Sequence, residues 1–372
     1  MKIIYIHHYM HLQGGIPKIL SFKANTLQEI GEEVIFITAN PNNNFNFPLN
    51  KNIKTYNLYS SSLLEGNFNK KIFRKNLEII LEKEKADIVI TTTYSPEFYF
   101  INSIKDGSIK ICEFHGTFRF AYGFTNIRHN LKKYIFEKLF FINVILKARK
   151  FDQFVVLTKT DFYNWRKFLS NCSFISNPKP IDENVKSTNL DKNIIAVGRL
   201  DYVKGFTDLA YIWNLIEKDF PEWHLNIFGE GSMRKEIEKL IKEFNLQNMH
   251  LRGAKNNLKE EYIKSSIHLV TSKFEGQSLT LLEAMGYAVP TISYNIEVGP
   301  KELIIDNQTG YLVEKNNYKE MSDKIKLLIE DPILRKTMSD NAFINSKNYD
   351  IEVIIKHWQE LFNKLLLKRL KK

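Results

Sequence analysis

Short apolar runs alternate with helical patterns along almost the whole chain of 372 residues. Runs of this kind are typical of strands that are buried on both faces of a parallel sheet. Because parallel strands need crossover connections, which are usually helices, the alternation predicts a doubly wound α/β architecture. The predicted strands are Lys2–His7, Glu33–Thr38, Ile53–Leu58, Ile88–Thr92, Lys110–Phe114, Phe154–Leu157, Cys172–Ile175, Ile194–Val197, His224–Phe228, Met249–Leu251, Ile267–Val270 and Thr291–Tyr294.

The alternation is interrupted at Ser176-Asn177-Pro178-Lys179-Pro180, and a polar stretch follows as far as Lys192. Two prolines and the loss of an apolar period indicate a domain boundary. We therefore expect two doubly wound domains, residues 1–178 and 179–350. Open parallel sheets bind ligands at the carboxyl ends of their strands, so two facing sheets imply a cleft between the domains.

The composition limits the partners and the compartment. An excess of 53 Lys and Arg over 42 Asp and Glu gives a net charge of +11, which favours anionic partners or is simply a solvated basic surface. The only two cysteines, Cys112 and Cys172, indicate a reducing compartment without disulfides. The first residues resemble a strand rather than a signal peptide, and no run reaches the ~20 apolar residues of a membrane span. We expect a cytoplasmic protein.

Two carboxylates lie in the segment from Ser272 to Pro290, Glu275 in a predicted loop and Glu283 inside the helix that follows. Ser278 stands where that helix should begin and is a good N-cap residue. The backbone N–H groups of Gly276, Gln277 and Ser278 would then be unpaired donors in a crevice. Such a crevice suits an anion with hydroxyl groups on either side.

Two other strand-to-helix junctions also suit an anion. Gly14 and Gly15 allow a ligand to approach the backbone after the first strand, although a simple tight turn explains them about as well. Arg199 and Lys204 follow the strand that ends at Val197 and together suit a diphosphate, the alternative being a solvated surface pair.

Two further features, His115 and the segment 128–150, are open between a structural and a functional interpretation, and a third point concerns metal ions. His115 follows a strand and would face the cleft, but a lone histidine is more often structural than catalytic. The basic and apolar segment 128–150 fits a peripheral membrane contact, although a helix buried in the first domain is the favoured interpretation. The sequence has no Asp-X-Asp and no His/Cys cluster with metal spacing, so we expect no metal ion.

Taken together, these motifs resemble the retaining glycosyltransferases of family 4, which have the two-domain GT-B fold. The resemblance rests on the Gly-Gly loop, the His-Gly strand end, Gly-Arg-Leu with Lys-Gly, Gly-Glu-Gly, and Glu-X7-Glu followed by Glu-Ala-Met-Gly. It implies transfer of a hexose or N-acetylhexosamine from a nucleotide sugar, UDP-linked in the related subset, to a bacterial surface glycan such as lipopolysaccharide or capsule. Residues 1–178 would bind the acceptor, residues 179–350 the nucleotide sugar, and helix 351–372 would return to the first domain.

The resemblance also implies a role for each candidate residue. Gly14 and Gly15 would approach the donor diphosphate, Arg199 and Lys204 would grip it, and the amides near Gln277 and Ser278 would face it. Glu275 and His115 would contact the donor sugar, Glu283 would hold the ribose diol, and Arg252 and Gly253 would lie near the base. No cofactor or metal is implied.

Two alternatives compete with this interpretation. A UDP-sugar 2-epimerase shares the two-domain architecture but uses no separate acceptor. A basic nucleic-acid-binding protein is suggested by the charge alone, and the sequence has no aromatic platform or motif for it. The expected partners are therefore a nucleotide sugar, a glycan or lipid-linked acceptor and, through residues 128–150, the inner face of the membrane, without nucleic acid.

Overall fold

The computed structural model describes residues 1–41, 44–59, 63–64, 67–93, 95–123, 130–181 and 185–371. The chain divides into two compact units. Unit 1 contains Met1–Pro178 together with Ile351–Lys372, and unit 2 contains Lys179–Asp350. Each unit is built around one parallel sheet with helices on both faces, so the predicted α/β class of two doubly wound domains is confirmed.

Seven strands form the sheet of unit 1 in the part of the chain that the structure describes. Every neighbouring pair is parallel. Two short strands, β4 (Leu63–Leu64) and β5 (Asn67–Phe68), form a separate antiparallel hairpin. The sheet has the order β3-β2-β1-β6-β7-β8-β9, where its strands are β1 (Lys2–Ile6), β2 (Glu33–Thr38), β3 (Lys54–Asn57), β6 (Ile88–Thr92), β7 (Ile109–Phe114), β8 (Gln153–Val156) and β9 (Cys172–Phe174).

Two helices of unit 1 begin after asparagines that act as N-caps. Asn69 accepts hydrogen bonds from the amides of Lys71 and Ile72, and Asn130 accepts one from the amide of Lys133, so both act as N-caps. The helices between the strands are α1 (Gly15–Glu29), α2 (Lys70–Glu84), α3 (Phe118–Tyr122), α4 (Leu131–Ala148) and α5 (Lys159–Arg166).

Unit 2 repeats the architecture with a six-stranded parallel sheet. Its edge strand β15 (Gly310–Val313) was not among the predicted strands, because it lies between a polar turn and a loop. The order is β12-β11-β10-β13-β14-β15, where the other strands are β10 (Asn193–Val197), β11 (His224–Phe228), β12 (Met249–Gly253), β13 (Ile267–Val270) and β14 (Thr291–Tyr294).

Helices cover both faces of this second sheet, and the last helix of the chain belongs to unit 1. The helix α13 (Ile351–Leu370) buries Ile354, Trp358 and Phe362 in the same apolar cluster as residues of α1 and β1. The helices of unit 2 are α6 (Phe206–Asn214), α7 (Arg234–Glu243), α8 (Lys259–Ile263), α9 (Leu279–Gly286), α10 (Pro300–Leu303), α11 (Tyr318–Glu330) and α12 (Pro332–Ser346).

The strand order has a switch point in each sheet. In unit 1 the chain proceeds from β1 to one side of the sheet and later returns beside β1 as β6. In unit 2 the same reversal lies between β10 and β13. Ligands of doubly wound sheets bind outside the carboxyl ends of the strands at such points. The loops after β1, β6 and β7 and those after β10, β11 and β13 are therefore the places to look for a site.

One buried histidine in unit 2 makes the stability of the fold depend on pH. His268 on β13 is fully buried, and its Nδ1 lies 3.1 Å from Thr291 Oγ1, while its Nε2 has no hydrogen-bond partner in the described chain. Burial lowers the pKa of His268 from 6.5 to about 3. Between these values the unfolded chain binds a proton that the folded chain does not. Each pH unit of acidification in this range removes ~1.4 kcal/mol of stability.

We expect His268→Gln to reduce by one the number of protons taken up on unfolding between pH 6.5 and 4.5. The free energy of unfolding then depends less steeply on pH. The reason is that glutamine retains a polar partner for Thr291 but takes up no proton when the chain unfolds. Differential scanning calorimetry over this range measures the effect. His357→Gln is the matched control, since His357 is exposed on α13. If the free energy of unfolding has the same pH dependence in wild type and in His268→Gln, the lowered pKa of His268 is contradicted.

Candidate functional site

The carboxyl end of the sheet of unit 2 brings Lys204 and Glu275 into direct contact. Lys204 Nζ donates to Glu275 Oε1 over 2.6 Å, and Ser272 Oγ donates to the same oxygen over 2.6 Å. The side chains of Lys204 and Glu275 are 23% and 9% exposed. Among the described residues no group donates to Glu275 Oε2, and two of the three N–H groups of Lys204 are unused. The pair can therefore accept further partners without being broken.

The two loops that carry this pair are joined through their backbones. Lys273 N donates to Val203 O over 2.7 Å, and Thr271 Oγ1 donates to Lys204 O over 3.2 Å. Gly205 has a left-handed φ of 64°, and a Cβ atom at this position would lie 2.2 Å from Thr271 O. Only glycine permits this approach, so the Lys-Gly motif fixes the position of Lys204 relative to the loop of Glu275.

The loop of Arg199 is joined in the same way to the Gly-Glu-Gly loop after β11. Gly198 N donates to Phe228 O over 3.0 Å, and Leu200 N donates to Glu230 O over 2.9 Å. A Cβ at Gly229 would lie 1.8 Å from Gly198 O. Arg199 itself is 79% exposed and lies 3.1 Å from Asp201. The structure thus holds the backbone at Arg199 firmly and leaves its guanidinium in solvent.

The start of α9 supplies backbone donors beside Glu275. In the described chain, the N–H groups of Gly276 and Ser278 donate to no protein acceptor, while Gln277 makes an interaction of its own. Ser278 occupies the N-cap position, as predicted, but its side chain makes no capping hydrogen bond, and Ser278 Oγ lies 3.2 Å from Thr280 Oγ1. The first amides of the helix remain available to an anion.

Glu283 is a buried residue of α9, and a tyrosine of the neighbouring helix α8 contacts its carboxylate. The hydroxyl of Tyr262 on α8 lies 3.2 Å from Glu283 Oε2 and 3.2 Å from Thr280 O, so it shares its one proton between these two acceptors. Burial and the charge of Glu283 raise the pKa of Tyr262 well above its usual value, so the phenol stays protonated and remains a donor. Tyr262 also stacks on Tyr287, with ring centroids 5.5 Å apart. The sequence did not predict a role for Tyr262, because its neighbours in sequence do not indicate a contact with Glu283, 21 residues further along the chain.

The structure corrects the expected position of Arg252 and Gly253. Both lie inside the edge strand β12 rather than after it. Arg252 is exposed, and its Nε donates to Asn226 Oδ1 over 2.7 Å on the neighbouring strand. The carbonyl of Gly253 accepts a hydrogen bond from Gly229 N over 2.8 Å, so this glycine supports the Gly-Glu-Gly loop. Neither residue contacts Lys204 or Glu275 through a hydrogen bond.

In unit 1, Gly14 and Gly15 lie at the start of α1, after the carboxyl end of β1. Gly14 is the N-cap of α1 in an extended conformation, with φ 177°, and Gly15 is the first residue of the helix. A Cβ at Gly14 would meet only Pro17 Cδ, at 3.8 Å. The protein itself therefore does not require glycine at position 14, in contrast to position 229.

His115 follows β7 and is held by two residues that sequence reasoning missed. Its Nε2 lies 2.9 Å from Glu113 Oε2, and the other oxygen of Glu113 accepts from Lys23 Nζ on α1 over 2.5 Å. Lys23 and Glu113 are 1% and 0% exposed. A signal for both exists in the sequence. Lys23 interrupts the apolar stripe that Leu20, Ala24 and Leu27 form on α1, and Glu113 lies in a central strand where the other residues are mostly apolar.

Most of the segment 128–150 forms α4, which runs from Leu131 to Ala148. Residues 128 and 129 lie outside the described part of the chain. The favoured expectation of a buried helix is only half right. One face of α4 packs into unit 1 through Phe141, Val144 and Ala148. The opposite face exposes a continuous row of large apolar side chains between 48% and 70%, namely Leu131, Ile135, Phe136, Leu139, Ile142 and Leu146.

Several other features of the described chain bear on possible ligands. No described helix is long and apolar enough to cross a bilayer. No group of three or more His, Cys, Asp or Glu residues among the described positions has the arrangement of a metal site. Cys112 and Cys172 are both free and buried. Burial raises the pKa of the Cys172 thiol to about 12, so this cysteine is protonated at neutral pH.

Comparison with known proteins gives the class of the enzyme. Residues 179–344 match the family model described as glycosyl transferases group 1. A Haemophilus influenzae protein described as an uncharacterized glycosyltransferase is 29% identical and aligns over 93% of this chain and 95% of its own length. A Staphylococcus aureus poly(ribitol-phosphate) α-N-acetylglucosaminyltransferase is 28% identical over 79% of this chain and 60% of its own length.

The solved structures show the same fold. A mutant of TarM from S. aureus, in complex with fondaparinux, α-GlcNAc-glycerol and UDP, superposes with a TM-score of 0.84 over 97% of this chain and 99% of its own, at 18% identity. The fold is therefore GT-B, and the family match and the relatives identify the chain as a glycosyltransferase. These relatives give no support to the epimerase alternative.

We expect Gly229→Ala to lower the thermal unfolding midpoint by on the order of 5 °C, because its Cβ must displace the carbonyl of Gly198. Gly14→Ala is the matched control and should unfold with the wild type, since the nearest atom to its Cβ is in ordinary van der Waals contact. Calorimetry of the two variants measures both effects. Equal midpoints for Gly229→Ala and wild type would show that the two loops separate without cost.

Proposed function

We propose that the protein is a retaining glycosyltransferase of family 4 that transfers a hexose or N-acetylhexosamine from a UDP-sugar to a bacterial surface glycan, such as lipopolysaccharide or capsule, or to a lipid-linked precursor. The observation that carries the proposal is the Lys204–Glu275 pair at the switch point of unit 2, beside the unused amides of Gly276 and Ser278. This arrangement offers cations, backbone donors and a carboxylate to one ligand. A nucleotide sugar has the matching diphosphate and hydroxyl groups.

The contacts of the described residues support a division of roles. The two unused N–H groups of Lys204 can bind diphosphate oxygens while the third retains Glu275. Glu275 Oε2, which no described residue engages, can accept a hydroxyl of the donor sugar. Arg199, which is exposed and paired only with Asp201, can turn its planar guanidinium to the diphosphate. Glu283, steadied by Tyr262, suits the two hydroxyls of a ribose.

In this proposal the departing UDP is stabilised by protein cations and helix amides, and no metal ion takes part. Charge builds up on the diphosphate as the bond to the sugar breaks, and preorganised donors lower the barrier because they need no rearrangement. His115, in unit 1, would contact the donor sugar near the reacting carbon, and Gly14 and Gly15 would approach the diphosphate. The S. aureus structure containing UDP and α-GlcNAc-glycerol supports a UDP-linked donor. The relative named for poly(ribitol-phosphate) supports a polymeric acceptor.

We expect Lys204→Ala and Arg199→Ala to lower the rate of UDP release from the best UDP-sugar by on the order of 100-fold each while the chain stays folded. Loss of Lys204 removes a preorganised partner of the diphosphate, and loss of Arg199 removes a second cation that can turn to it. UDP release is measured on a panel of UDP- and GDP-sugars preselected by thermal stabilisation. Lys336→Ala, which removes an exposed lysine paired with Asp340 on α12, is the matched control and should behave like wild type.

The same panel can contradict the proposal in separate ways. Unchanged rates in both variants would remove the diphosphate role of these cations. Stabilisation by GDP and not by UDP would overturn the donor assignment. Conversion of a UDP-sugar to its C2 epimer in the absence of any acceptor would favour the epimerase alternative. Retention is read from the anomeric configuration of the transferred sugar.

We further propose that the exposed face of α4 attaches the enzyme to the inner surface of the membrane, where a lipid-linked acceptor resides. The row of apolar side chains from Leu131 to Leu146 is far larger than the isolated apolar residues of an ordinary surface. Lys132, Lys133 and Lys150, all exposed, accompany this row. An exposed apolar face flanked by lysines is typical of a helix that lies in the interface of an anionic bilayer.

We expect the double change Phe136→Gln and Leu139→Gln to weaken binding to vesicles of phosphatidylglycerol and phosphatidylcholine by about tenfold or more, because two apolar side chains no longer leave water. Cosedimentation measures the binding. Ile333→Gln with Ile344→Gln is the matched control, since both side chains are exposed in unit 2, at 80% and 67%. Equal binding by both double variants, or none by wild type, would contradict the membrane contact. Sedimentation velocity would reveal a dimer formed through α4 instead.

A further inference from the structure

Unit 1 contains a buried chain of three side chains that the glycosyl transfer proposed above does not by itself explain. Lys23 Nζ donates to Glu113 Oε1 over 2.5 Å, and Glu113 Oε2 lies 2.9 Å from His115 Nε2. Lys23 comes from α1, and Glu113 and His115 come from β7 and the loop after it. The carboxylate of Glu113 therefore joins an early helix of the chain to the candidate catalytic histidine.

Burying this lysine and this glutamate is costly, and their mutual attraction rarely returns more than the cost of removing both from water. A purely structural need would be met equally well by two apolar side chains of similar size. The arrangement uses both oxygens of Glu113, one for Lys23 and one for His115. Two apolar side chains in place of Lys23 and Glu113 would fill the same space but could not form the hydrogen bond to His115.

That hydrogen bond selects the tautomer of His115. An ionised carboxylate only accepts hydrogen bonds, so the proton of His115 must be on Nε2. Nδ1 then carries the lone pair of the neutral ring. In the described part of the chain, Nδ1 of His115 has no hydrogen-bond partner, which leaves it available to accept a hydroxyl from a ligand.

Lys23 determines the charge that His115 experiences. Burial alone would raise the pKa of Glu113, but Lys23 and the hydrogen bond from His115 bring it down to about 2. Burial lowers the pKa of Lys23, and the charge of Glu113 opposes that change. With Lys23 present, the negative charge of Glu113 is already balanced. Without Lys23, Glu113 would take up a proton itself or draw one onto His115, its other partner.

The other groups around His115 do not replace Lys23. On the β1 side lies His7, whose Nδ1 is 3.0 Å from Thr92 Oγ1. Burial lowers the pKa of His7 to about 4, so it is neutral near pH 7. Glu97, in the turn after β6, lies 2.8 Å from His8 Nε2 and accepts from Thr91 over 2.7 Å, and is therefore engaged elsewhere. The phenol of Tyr5 stays protonated, because burial raises its pKa.

The C-terminal helix completes the enclosure of Lys23. Trp358 on α13 places its ring 4.6 Å from Lys23 Nζ, and Tyr5 on β1 lies at 5.9 Å. An aromatic face attracts a cation without neutralising it. Lys23 Nζ therefore lies near two aromatic rings and a single carboxylate.

We propose that Lys23 and Glu113 are positioning residues that hold His115 as the neutral Nε2–H tautomer, with Nδ1 free to accept a hydrogen bond from a hydroxyl of the donor sugar. The catalytic consequence rests on the proposed function, because it requires His115 to contact that sugar. The tautomer itself is a property of the free protein and can be tested without any substrate.

The test is long-range 1H–15N NMR of the histidine rings in the full chain between pH 5.5 and 8. His115 is one of nine histidines, and its signals are identified by their absence from His115→Gln. In wild type we expect the Nε2–H tautomer. In Glu113→Gln we expect a mixture of the two tautomers. In Lys23→Met we expect loss of the single neutral Nε2–H form, because the Glu113 carboxylate left without its cation takes up a proton or draws one onto His115.

Two further variants separate positioning from mere structure. Lys110→Met removes another buried lysine of unit 1, one that pairs with Asp106 at the opposite end of β7, and should leave the His115 signals unchanged. If a single variant does not fold, the double variant Lys23→Met with Glu113→Gln removes both charges and should show a mixture of the two neutral tautomers. The Nε2–H tautomer persisting in Glu113→Gln and in the double variant would overturn the proposal.

Turnover gives an independent readout. We expect Glu113→Gln to lower kcat by at least tenfold with a smaller change in the KM for the donor, because the contacts to the donor diphosphate do not involve His115. An absence of transfer in wild type would defeat the proposed function and leave the tautomer result standing. A normal kcat in a Glu113→Gln protein with mixed tautomers would contradict the catalytic consequence alone.

Discussion

Backbone contact between neighbouring loops is the constraint on which the site of unit 2 depends. The loops after β10, β11 and β13 approach so closely that a Cβ would lie 2.2 Å from Thr271 O at Gly205 and 1.8 Å from Gly198 O at Gly229. Each approach is secured by backbone hydrogen bonds between the loops. The charged side chains of the site are therefore carried on a backbone that cannot easily shift, which is what a preorganised anion site needs.

A second constraint is that every buried charge near these strand ends has an assigned partner. Glu283 is held by Tyr262, Glu275 by Lys204 and Ser272, and Glu113 by Lys23 and His115. Buried carboxylates without such partners would take up a proton or destabilise the fold. The partners come from elements distant in the sequence, so folding and the chemistry of the site are coupled through the same contacts.

The sequence was sufficient for most of the fold, because buried parallel strands are apolar runs and the crossover helices have their own period. It missed β15, which lies between a polar turn and a loop. It located the motif loops but not the partners of their charges, since Tyr262 and Lys23 are set by packing. Lys23 could have been noticed as a lysine within an apolar helical stripe. For α4, an apolar helix does not reveal which of its faces the rest of the domain covers.

The exposure of the two lysine–glutamate pairs explains why they suit different tasks. Lys204 and Glu275 remain 23% and 9% exposed, so water or a ligand can reach the unused donors and the unused oxygen of the pair. The side chains of Lys23 and Glu113 are 1% and 0% exposed, so neither water nor a ligand reaches them in the folded unit. A pair of the first kind is suited to the proposed diphosphate, which must bind and leave in each turnover. A pair of the second kind keeps one arrangement throughout, and this permanence is what the fixed tautomer of a neighbouring histidine requires.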